Sequence, residues 1–597
     1  MKRAHSLLLA VLLAFSAFGQ AEAPPKTLRY TFRVAETGFD PARINDLYSR
    51  TVTPHIFESL VTYDHLARPA KLKALTAAEL PTPNADYTVW TARIRPGLYF
   101  QSDAVFKGAR RELVAADYAY AFKRFADPTI PSPGWTSVQS WGIKGLLRLR
   151  EQAQAAKTGL NYDTPIEGLQ VLDRHTLRIA LERPNPRFLQ ELALGDLFGA
   201  VAREVVEAYG DDIHAHPVGT GPFVLKEWRR GSRIVLARNP EYRERFYDAE
   251  PNADDAEGQA LLARFKGRRI PMIDRVEIGI IEEDQPRWLS FLNGEYDFIE
   301  RVPNTFISQV APRNQLAPNL AKQGLRLHRT LNAEVYFMMF NMEDPVLGGF
   351  EPEKVALRRA ISLGMDSMAE IQLVRRGQAI PAQGFYVPNT VGYDPAFKST
   401  HSEYDPPKAK ALLDLYGYRD VDRDGCREAP DGARLDLVQN STPEGDQRAI
   451  DELLEKNLRA IGLCVKFKHA KWPEQLKAAR AGKYQFWVVA TSADKPDGQS
   501  SLARFDSQQI GGQNFARFKL PEMDQLYQQI TTLPDGPERL ALMARTQRLS
   551  AALMPYKFKG HRIHTDLEHA QMSGYRRPLF WQNWWEYVDM DAAARPR

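Results

Sequence analysis

Two segments of this 597-residue sequence place chemically active residue types at spacings that could form a site. The first, residues 420–425 (DVDRDG), matches the first half of a calcium loop, with Asp431 at the twelfth position. Carboxylates at this spacing can converge on a hard cation. However, Asp431 is shorter than the bidentate Glu usual there, and Arg427 stands where a hydrophobic residue is usual. We therefore predict a polar Asp-Gly turn and no metal site, with calcium binding as the alternative.

The second segment, residues 485–497 (QFWVVATSADKPD), combines an apolar run with an acidic loop. A strand is expected up to Ala490, followed by a polar loop that carries Asp494 and Asp497. Loops at strand ends are where α/β proteins usually hold ligands in a cleft. Lys495 could form a salt bridge with Asp494, and a solvated turn is the alternative structure. We predict that this loop contacts a ligand.

Motifs for catalysis or zinc binding do not stand out in the sequence. His214 and His216 form one close pair and His561 and His564 another, but neither pair has a third ligand at a zinc-like spacing. We find no nucleophile elbow, no HExxH motif and no phosphate-binding loop. We therefore predict no catalytic residues, no cofactor and no enzymatic activity.

Length and composition indicate an ordinary globular chain with more than one domain. A chain of 597 residues is too long for a single hydrophobic core, so two or three domains are expected. Hydrophobic residues make up 44% and charged residues 26%, and the net charge of +5 is spread along the chain. No basic tract is present that would suggest a nucleic-acid partner.

The N-terminus has the features of a secretory signal peptide. Lys2 and Arg3 supply positive charge, residues 7–18 form a short apolar run, and residues 21–23 (AEA) fit a small-x-small cleavage site. We predict cleavage after Ala23, with Gly19 as the alternative. No cysteine follows the apolar run, and no other stretch is long and apolar enough to span a membrane. The mature protein is therefore expected to be free in the periplasm, without a membrane anchor.

The two cysteines, Cys426 and Cys464, lie 38 positions apart. Export to an oxidising compartment permits a disulfide between them. Their spacing alone does not decide whether the bond forms, because a disulfide needs a specific distance and orientation.

Apolar periodicity indicates a chain of strands and helices. Residues 217–243 (PVGTGPFVLKEWRRGSRIVLARNPEYR) predict a hairpin, with strands at 223–228 and 233–238 around Gly231 and Ser232. Gly219 and Gly221 before it permit positive φ or the close approach of another segment. Further on, a helical stripe over residues 450–461 precedes a strand at 464–467 and another at 485–490. This alternation is typical of an α/β domain.

The hairpin resembles the signature hairpin of the periplasmic binding proteins that deliver peptides, nickel and similar ligands to ABC importers (bacterial extracellular solute-binding protein family 5). Other segments follow in the same order as in that family. They include residues 58–64 (ESLVTYD), the helix that begins at residues 114–117 (VAAD), and residues 294–299 (GEYDFI). One departure is the missing Asp-Gly pair after the strand at 90–94, where residues 101–108 form an apparent insertion. The resemblance covers nearly the whole mature chain.

The resemblance implies a two-lobed α/β fold, the type II periplasmic-binding-protein fold with an extra inserted domain and a two-strand hinge. It places the boundaries as follows: 1–23, signal peptide; 24–66, domain I of lobe 1, first part; 67–183, inserted domain II of lobe 1; 184–282, domain I, second part; 283–564, domain III, which is lobe 2; and 565–597, domain I, C-terminal part. The two crossings, near residues 280–284 and 564–567, are predicted to form the hinge.

The resemblance also implies a function in solute uptake. A protein of this family captures a small solute between two closing lobes and delivers it to an inner-membrane ABC permease. A di- or oligopeptide is the favoured cargo here, and a monomer is expected. A nickel chelate, haem, glutathione, an opine or a sugar are the alternative cargoes, and a periplasmic chaperone or an exported hydrolase are the alternative classes.

Five residues are ligand-binding candidates. Asp494 occupies the position where peptide-binding members of the family place an acidic residue that pairs with the ammonium group of the ligand. Asp497 is the second candidate in the same loop, and Lys495 departs from the aromatic residue usual between them. Trp487 could form a wall of the pocket, Tyr386 could contact ligand through its ring and hydroxyl, and Asn341 lies at a strand end.

Overall fold

The structure is a computed structural model that describes residues 24–399, 402–443, 446–580 and 582–591. The predicted signal peptide, residues 1–23, lies outside the described residues. The chain forms a two-lobed α/β fold. Following the predicted boundaries, we call residues 24–282 and 565–591 the first lobe and residues 283–564 the second lobe; these boundaries stay a prediction. None of the described helices is both long and apolar enough to cross a membrane.

The first lobe is built on a four-stranded sheet in the order β1-β12-β9-β8, in which only β1 and β12 are parallel. A second sheet, β4-β5-β7-β6, lies within residues 67–183 and is antiparallel. The strands are β1 (Thr27–Phe32), β2 (Val61–Tyr63), β3 (Leu72–Ala74), β4 (Thr82–Pro83), β5 (Val89–Arg93), β6 (Leu169–Asp173), β7 (Thr176–Ala180), β8 (Phe223–Arg229), β9 (Arg233–Arg238), β10 (Arg245–Phe246), β11 (Arg269–Ile270) and β12 (Arg275–Ile280). The α-helices are α1 (Leu47–Val52), α2 (Ala115–Phe125), α3 (Trp135–Ser140), α4 (Leu146–Ala156), α5 (Phe188–Leu192), α6 (Gly195–Phe198), α7 (Arg203–Tyr209) and α8 (Ala256–Phe265). Short 3₁₀ helices are Thr53–His55, Ala104–Phe106 and Gly210–Ala215.

The predicted hairpin is confirmed as β8 and β9, with Gly231 at a positive φ of 67° in the turn. The role of the two preceding glycines is the close approach of another segment. A Cβ on Gly219 would lie 2.0 Å from the carbonyl oxygen of Ile56, and the Gly221 amide donates to that same oxygen at 2.8 Å. A larger residue at Gly219 would therefore push the hairpin away from the 3₁₀ helix before residue 56.

The second lobe is built on an eight-stranded mixed sheet. Its order is β13-β20-β15-β19-β17-β18, with β14 and β16 also paired to β20. The strands are β13 (Phe298–Ile299), β14 (Arg326–Leu331), β15 (Glu334–Phe340), β16 (Ala379–Pro381), β17 (Leu437–Ser441), β18 (Val465–His469), β19 (Phe486–Ser492) and β20 (Tyr556–Glu568). The helices are α9 (Asp284–Leu292), α10 (Asn304–Val310), α11 (Pro318–Lys322), α12 (Pro352–Gly364), α13 (Ser367–Ala369), the π-helical turn Glu370–Val374, α14 (Pro406–Leu415), α15 (Gln447–Arg459), α16 (Trp472–Arg480), α17 (Gln499–Leu502), α18 (Pro521–Thr532) and α19 (Pro537–Leu553), with 3₁₀ helices Pro312–Asn314, Ala503–Phe505 and Ser507–Gln509.

The sequence did not predict β20, the longest strand of the structure's described residues. Its sequence, YKFKGHRIHTDLE, lacks the apolar alternation that identifies a strand. The polar side chains are nevertheless buried, because distant residues satisfy them: Lys559 pairs with Glu370, and His561 Nδ1 lies 2.9 Å from the carbonyl oxygen of Glu334. The short strand β16 also pairs with β20.

Two segments connect the lobes. β12 ends at Ile280 and α9 begins at Asp284, while β20 continues through residues 564–567 to Glu568. After β20 the chain returns to the first lobe through β21 (Met572–Ser573), the 3₁₀ helix Trp585–Tyr587 and β22 (Asp589–Met590). The ring of the buried Trp584 lies 5.9 Å from that of Tyr30 in the first-lobe core. A hinge role for the two crossings stays a prediction.

Cys426 and Cys464 form a disulfide, which answers the question that their spacing left open. The bond joins the loop after α14 to the residue just before β18. It closes a segment that contains β17 and α15 and therefore restricts the unfolded chain over that part of the second lobe.

A buried histidine makes the stability of the first lobe depend on pH. The His65 ring stacks on Tyr587 at a centroid distance of 4.2 Å, and burial, with Arg68 nearby, lowers the pKa of His65 from 6.5 to about 3. Between these two pH values the unfolded state binds more protons at this site, so its contribution to stability is lost as the pH falls below 6.5.

We expect the His65→Phe variant to keep the ring contact but to lose this dependence. Between pH 7 and pH 4.5, the free energy of unfolding of the wild type should fall by about 2–3 kcal/mol more than that of the variant. Urea titrations followed by tryptophan fluorescence at both pH values measure the difference. Equal losses in the two proteins would show that His65 is protonated in the folded state.

Candidate ligand-binding cleft

A cavity of about 410 Å³ lies between the two lobes. Its walls come from both lobes and include several charged side chains of each sign. The first-lobe lining includes Tyr48, Arg50, Thr51, Ala193, Leu194, Gly195, Asp196, Arg577, Leu579 and Asn583. The second-lobe lining includes Glu300, Arg301, Asn332, Glu334, Ala490, Thr491, Ser492, Ala493, Asp494 and Arg562. Because the cavity depends on both lobes, an occupant would contact both.

Strand β19 presents an open edge to this region. All seven of its residues pair with β15, from Phe486 with Phe340 to Ser492 with Glu334. On the other side, only Phe486 and Trp487 are in register with β17. Among the described residues, the edge from Val488 to Ser492 therefore has no strand partner, and its backbone groups can pair with an extended ligand.

Asp494 lies two residues after this open edge and lines the cavity. Its Oδ1 atom is buried without a hydrogen-bond partner, and its carboxylate makes no ion pair with any of the described residues. It does act electrostatically on its surroundings. Burial lowers the pKa of Lys495, but Glu191 and Asp494 outweigh burial and raise that pKa above its ordinary value. A carboxylate with one oxygen buried and unpartnered favours the binding of a cation.

Lys495 does not pair with Asp494, contrary to the possibility raised from the sequence. Its ammonium group pairs with Glu191 of the first lobe, and both side chains are largely buried. The pair spans the two lobes because Glu191 lies on α5, more than 300 positions earlier in the chain. Asp494 is thus left available, and Lys495 contributes to interlobe contact.

Arg187 makes a second interlobe contact. It precedes α5 in the first lobe and donates to Ile530 O at 3.0 Å and to Leu533 O at 2.8 Å in the second lobe. These carbonyls belong to the C-terminal end of α18 and the residue after it, where the helix dipole favours a cation. Together with the Lys495–Glu191 pair, this contact holds the lobes against each other beside the cavity.

Asp497 does not line the cavity, although the sequence made it the second ligand candidate. It is 3% exposed and forms a bidentate pair with Arg539 of α19, with Nη2–Oδ1 at 2.7 Å and Nη1–Oδ2 at 2.8 Å. Its Oδ1 also accepts from the Gln499 amide at 2.8 Å. Both oxygens are therefore occupied, and the residue anchors the loop that carries Asp494.

The other three candidates are buried at different places. Tyr386 contacts Thr546 through its hydroxyl at 2.9 Å, and Asn341 donates to the carbonyl oxygens of Gly482 and Tyr484 at 3.0 and 2.8 Å. Neither residue lines the cleft cavity. Trp487 lines a second cavity that adjoins the cleft through Ala490 and Thr491. Asp494 is the one sequence candidate on the wall of the cleft cavity itself.

The sequence analysis missed most of the charged lining. Arg577 pairs with Glu300 and with Asp566, the latter at 2.7 Å, and Arg562 pairs with Glu334 at 2.7 Å. These residues come from distant parts of the chain, and no spacing relates them. A carboxylate at the start of an apolar strand, as at Glu334 before VYFMMF, is the one local signal that could have identified a buried acid.

The acidic loop at 420–431 forms a polar turn, as predicted. Asp420 Oδ2 accepts from the Gly425 amide at 3.1 Å, and Asp422 Oδ1 accepts from the Asp424 amide at 3.0 Å. The carboxylates of Asp420, Asp422 and Glu428 lie within 4.8 Å of one another, and the first two residues are exposed. The absence of a metal at this turn stays a prediction.

Comparison with known proteins shows extensive similarity. The family model described as "Bacterial extracellular solute-binding proteins, family 5 Middle" matches residues 71–513. Di/tripeptide-binding protein 2 of Pseudomonas aeruginosa is 27% identical over 579 residues, which cover 95% of each chain. Heme-binding protein A of Haemophilus influenzae is 23% identical over 535 residues, which cover 87% of this chain and 84% of the relative.

Among solved structures, the fold is similar to that of DppA from Helicobacter pylori, an ABC transporter-associated periplasmic binding protein in complex with the peptide STSA. The TM-score is 0.70 at 21% identity, and the match covers 94% of this chain and 98% of the other. This similarity supports the two-lobed fold.

Proposed function

Because the chain belongs to family 5 of the bacterial extracellular solute-binding proteins, we propose that it binds short peptides in the periplasm and delivers them to an ABC permease of the inner membrane. The Pseudomonas aeruginosa relative, named for di- and tripeptides, supports this choice of cargo. The cleft supports it independently, because its features match the three groups that short peptides share: an ammonium group, an extended main chain and a carboxylate.

The observation that carries the proposal is the unpaired carboxylate of Asp494 at the end of an open strand edge. A peptide ammonium placed against Asp494 would give its buried Oδ1 a partner, and the main chain that follows could pair with the free edge of β19. A sugar or haem has no such combination of a cation and a main-chain ladder. The arrangement therefore favours a peptide over those alternative cargoes.

The size and charge of the cleft agree with a short ligand. A volume of about 410 Å³ falls in the lower part of the range for small-molecule sites, roughly 300–1,000 Å³. Arg577, Arg562 and Arg301 line the cavity, although Glu300 and Glu334 already pair with the first two. We propose that this lining, which carries charges of both signs, accommodates a zwitterionic peptide with its C-terminal carboxylate toward the arginines.

Transport would follow from closure of the lobes over the ligand. The interlobe contacts of Lys495 and Arg187 exist when the lobes meet, and a ligand that bridges both lobes adds its contacts to the same state. Ligand binding would thus shift the population toward the closed form, which the permease would recognise. Release would require reopening, in which the interlobe contacts separate.

A ligand panel tests the proposal. Protein freed of bound ligand by unfolding and refolding is mixed with di- and tripeptides, their N-acetylated forms, haem, an opine and a sugar, and its melting temperature is measured. We expect a concentration-dependent rise only with free-amine peptides, equivalent to about 2.7 kcal/mol of stabilisation at a hundredfold excess over the dissociation constant. Stabilisation by haem, an opine or a sugar but by no peptide would assign a different cargo.

A further inference from the structure

A second cavity, of about 290 Å³, lies in the second lobe beside the cleft and shares Ala490 and Thr491 with it. We call it the side cavity. Aromatic and aliphatic residues form most of its wall. The lining consists of Phe337, Met339, Trp472, Leu476, Trp487, Val489, Ala490, Thr491, Arg504, Gly512, Gln513, Phe515 and Tyr556. The apolar part of a ligand side chain would therefore be shielded from water there.

Trp472 leaves apolar surface uncovered at this cavity. It begins α16, and its ring lies 4.9 Å from the buried ring of Trp487. The Trp472 side chain is nevertheless 45% exposed. A large exposed aromatic ring beside an apolar cavity can gain buried area when the cavity is filled.

Arg504 is the charged residue in the lining of the side cavity. It is 7% exposed, and its Nε is enclosed without a hydrogen-bond partner. No ion pair joins it to a carboxylate of the described residues, and the ring of Phe337 lies 5.2 Å from its guanidinium carbon. Burial lowers the pKa of Arg504 to about 10, and the hydroxyl of Tyr556 opposes that effect without outweighing it.

Other buried arginines have the acceptors that Arg504 lacks. Arg539 pairs with Asp497, and Arg124 forms a bidentate pair with Asp40 at 2.6 and 2.8 Å. Arg358, which has no carboxylate partner either, donates to three backbone carbonyls, including Met554 O at 3.1 Å. A buried guanidinium without such partners is costly unless an anion arrives from outside the chain.

We propose that the side cavity is a subsite for a ligand carboxylate carried on an apolar stem, such as a glutamate side chain of the bound peptide, with Arg504 as the residue that selects it. This inference rests on the proposed function. The aromatic walls would cover the methylene groups, and the guanidinium can donate two charge-assisted hydrogen bonds from its nitrogens to one carboxylate.

The position of the side cavity agrees with a peptide bound along β19. Thr491 lies in the open edge of that strand and lines both cavities. A ligand main chain beside Thr491, with its ammonium group at Asp494, would be next to the opening between them. A side chain from that part of the ligand can enter the side cavity while the main chain stays in the cleft.

The test compares peptides that differ in one charge. Binding of Ala-Glu-Ala-amide and Ala-Gln-Ala-amide, and of Ala-Ala-Glu-amide and Ala-Ala-Gln-amide, is measured by titration calorimetry on the wild type and on Arg504→Met. We expect the wild type to prefer glutamate in one pair by about 10- to 100-fold, and the variant to lose that preference while still binding the glutamine peptides. Arg548→Met, which removes an exposed arginine of α19, should behave as the wild type.

Further arms identify the source of the carboxylate. The glutamate and glutamine amides could bind equally, while Ala-Ala-Ala with a free C-terminus binds more tightly than its amide. If that difference is seen in the wild type and is lost in Arg504→Met, the subsite takes the C-terminal carboxylate. If neither carboxylate is preferred, or if the preference persists in Arg504→Met, the inference is overturned. Tight binding of all peptides without discrimination would overturn this subsite alone, whereas no binding of any peptide would overturn the proposed function.

Discussion

Replacing Asp494 with Asn is expected to weaken the binding of a free-amine di- or tripeptide by about 2–5 kcal/mol, or roughly 30- to 4,000-fold in dissociation constant. The reason is the environment of the carboxylate. One of its oxygens is buried with no partner among the described residues, so the ligand ammonium would be its counterion in a cavity closed by both lobes. The amide of Asn keeps the shape and removes the charge.

Titration calorimetry with a matched pair of ligands separates this pairing from general damage. The N-acetylated peptide lacks the ammonium group, so it should bind the wild type weakly and should lose little more affinity in Asp494→Asn. Asp212→Asn, which removes an exposed carboxylate of the first lobe, should leave both affinities unchanged. Equal losses for the free and acetylated peptides would mean that Asp494 does not contact the ligand ammonium.

Replacing Arg539 with Met is expected to destabilise the protein by about 3–5 kcal/mol. Asp497 is almost fully buried, and Arg539 holds both of its carboxylate oxygens. Removal of the guanidinium leaves a buried charge whose remaining hydrogen bond among the described residues is the one from the Gln499 amide. Because Asp497 lies three residues after Asp494, loosening this loop should also weaken peptide binding.

Two companion variants make this prediction specific, with stability measured by urea unfolding. Adding Asp497→Leu to Arg539→Met should recover most of the lost stability, since the unpaired charge is then absent. Arg545, which lies on α19 like Arg539, pairs with Glu522 of α18, and both side chains are partly exposed. Breaking this pair in Arg545→Met should therefore cost less than about 1 kcal/mol. A small effect of Arg539→Met alone would mean that Asp497 finds another partner or becomes solvated.

The contacts between the lobes lie close to Asp494 and Arg539, the two residues replaced in these predictions. Asp494 and Asp497 flank Lys495, which pairs with Glu191 across the lobes, and Arg187 reaches the end of α18 close to Arg539. Arg187 and Arg539 both donate to the carbonyl oxygen of Ile530 at 3.0 Å. A single loop therefore carries Asp494, which we propose to bind the ligand, the residue that anchors the loop and one of the contacts between the lobes.

Local patterns in the sequence determined the elements near the site. The period-2 alternation and the turn residues of the β8–β9 hairpin were sufficient to place both strands, because a hairpin depends mainly on neighbouring residues. The apolar run before the acidic loop likewise predicted β19, and with it the position of Asp494 at a strand end. The two-lobed fold was implied by the resemblance to the family, which the order of such segments along the chain supports.

Tertiary structure alone decided which charges are paired. Asp494 and Asp497 are three residues apart in one loop, yet Asp497 pairs with Arg539 from a later helix and Asp494 forms no ion pair with the described residues. Lys495 finds its partner in the other lobe, and β20 buries lysines and histidines that only distant acids and carbonyls can satisfy. Burial makes a charge dependent on the few groups within hydrogen-bonding distance, and those groups are set by packing between remote segments, which no local pattern records.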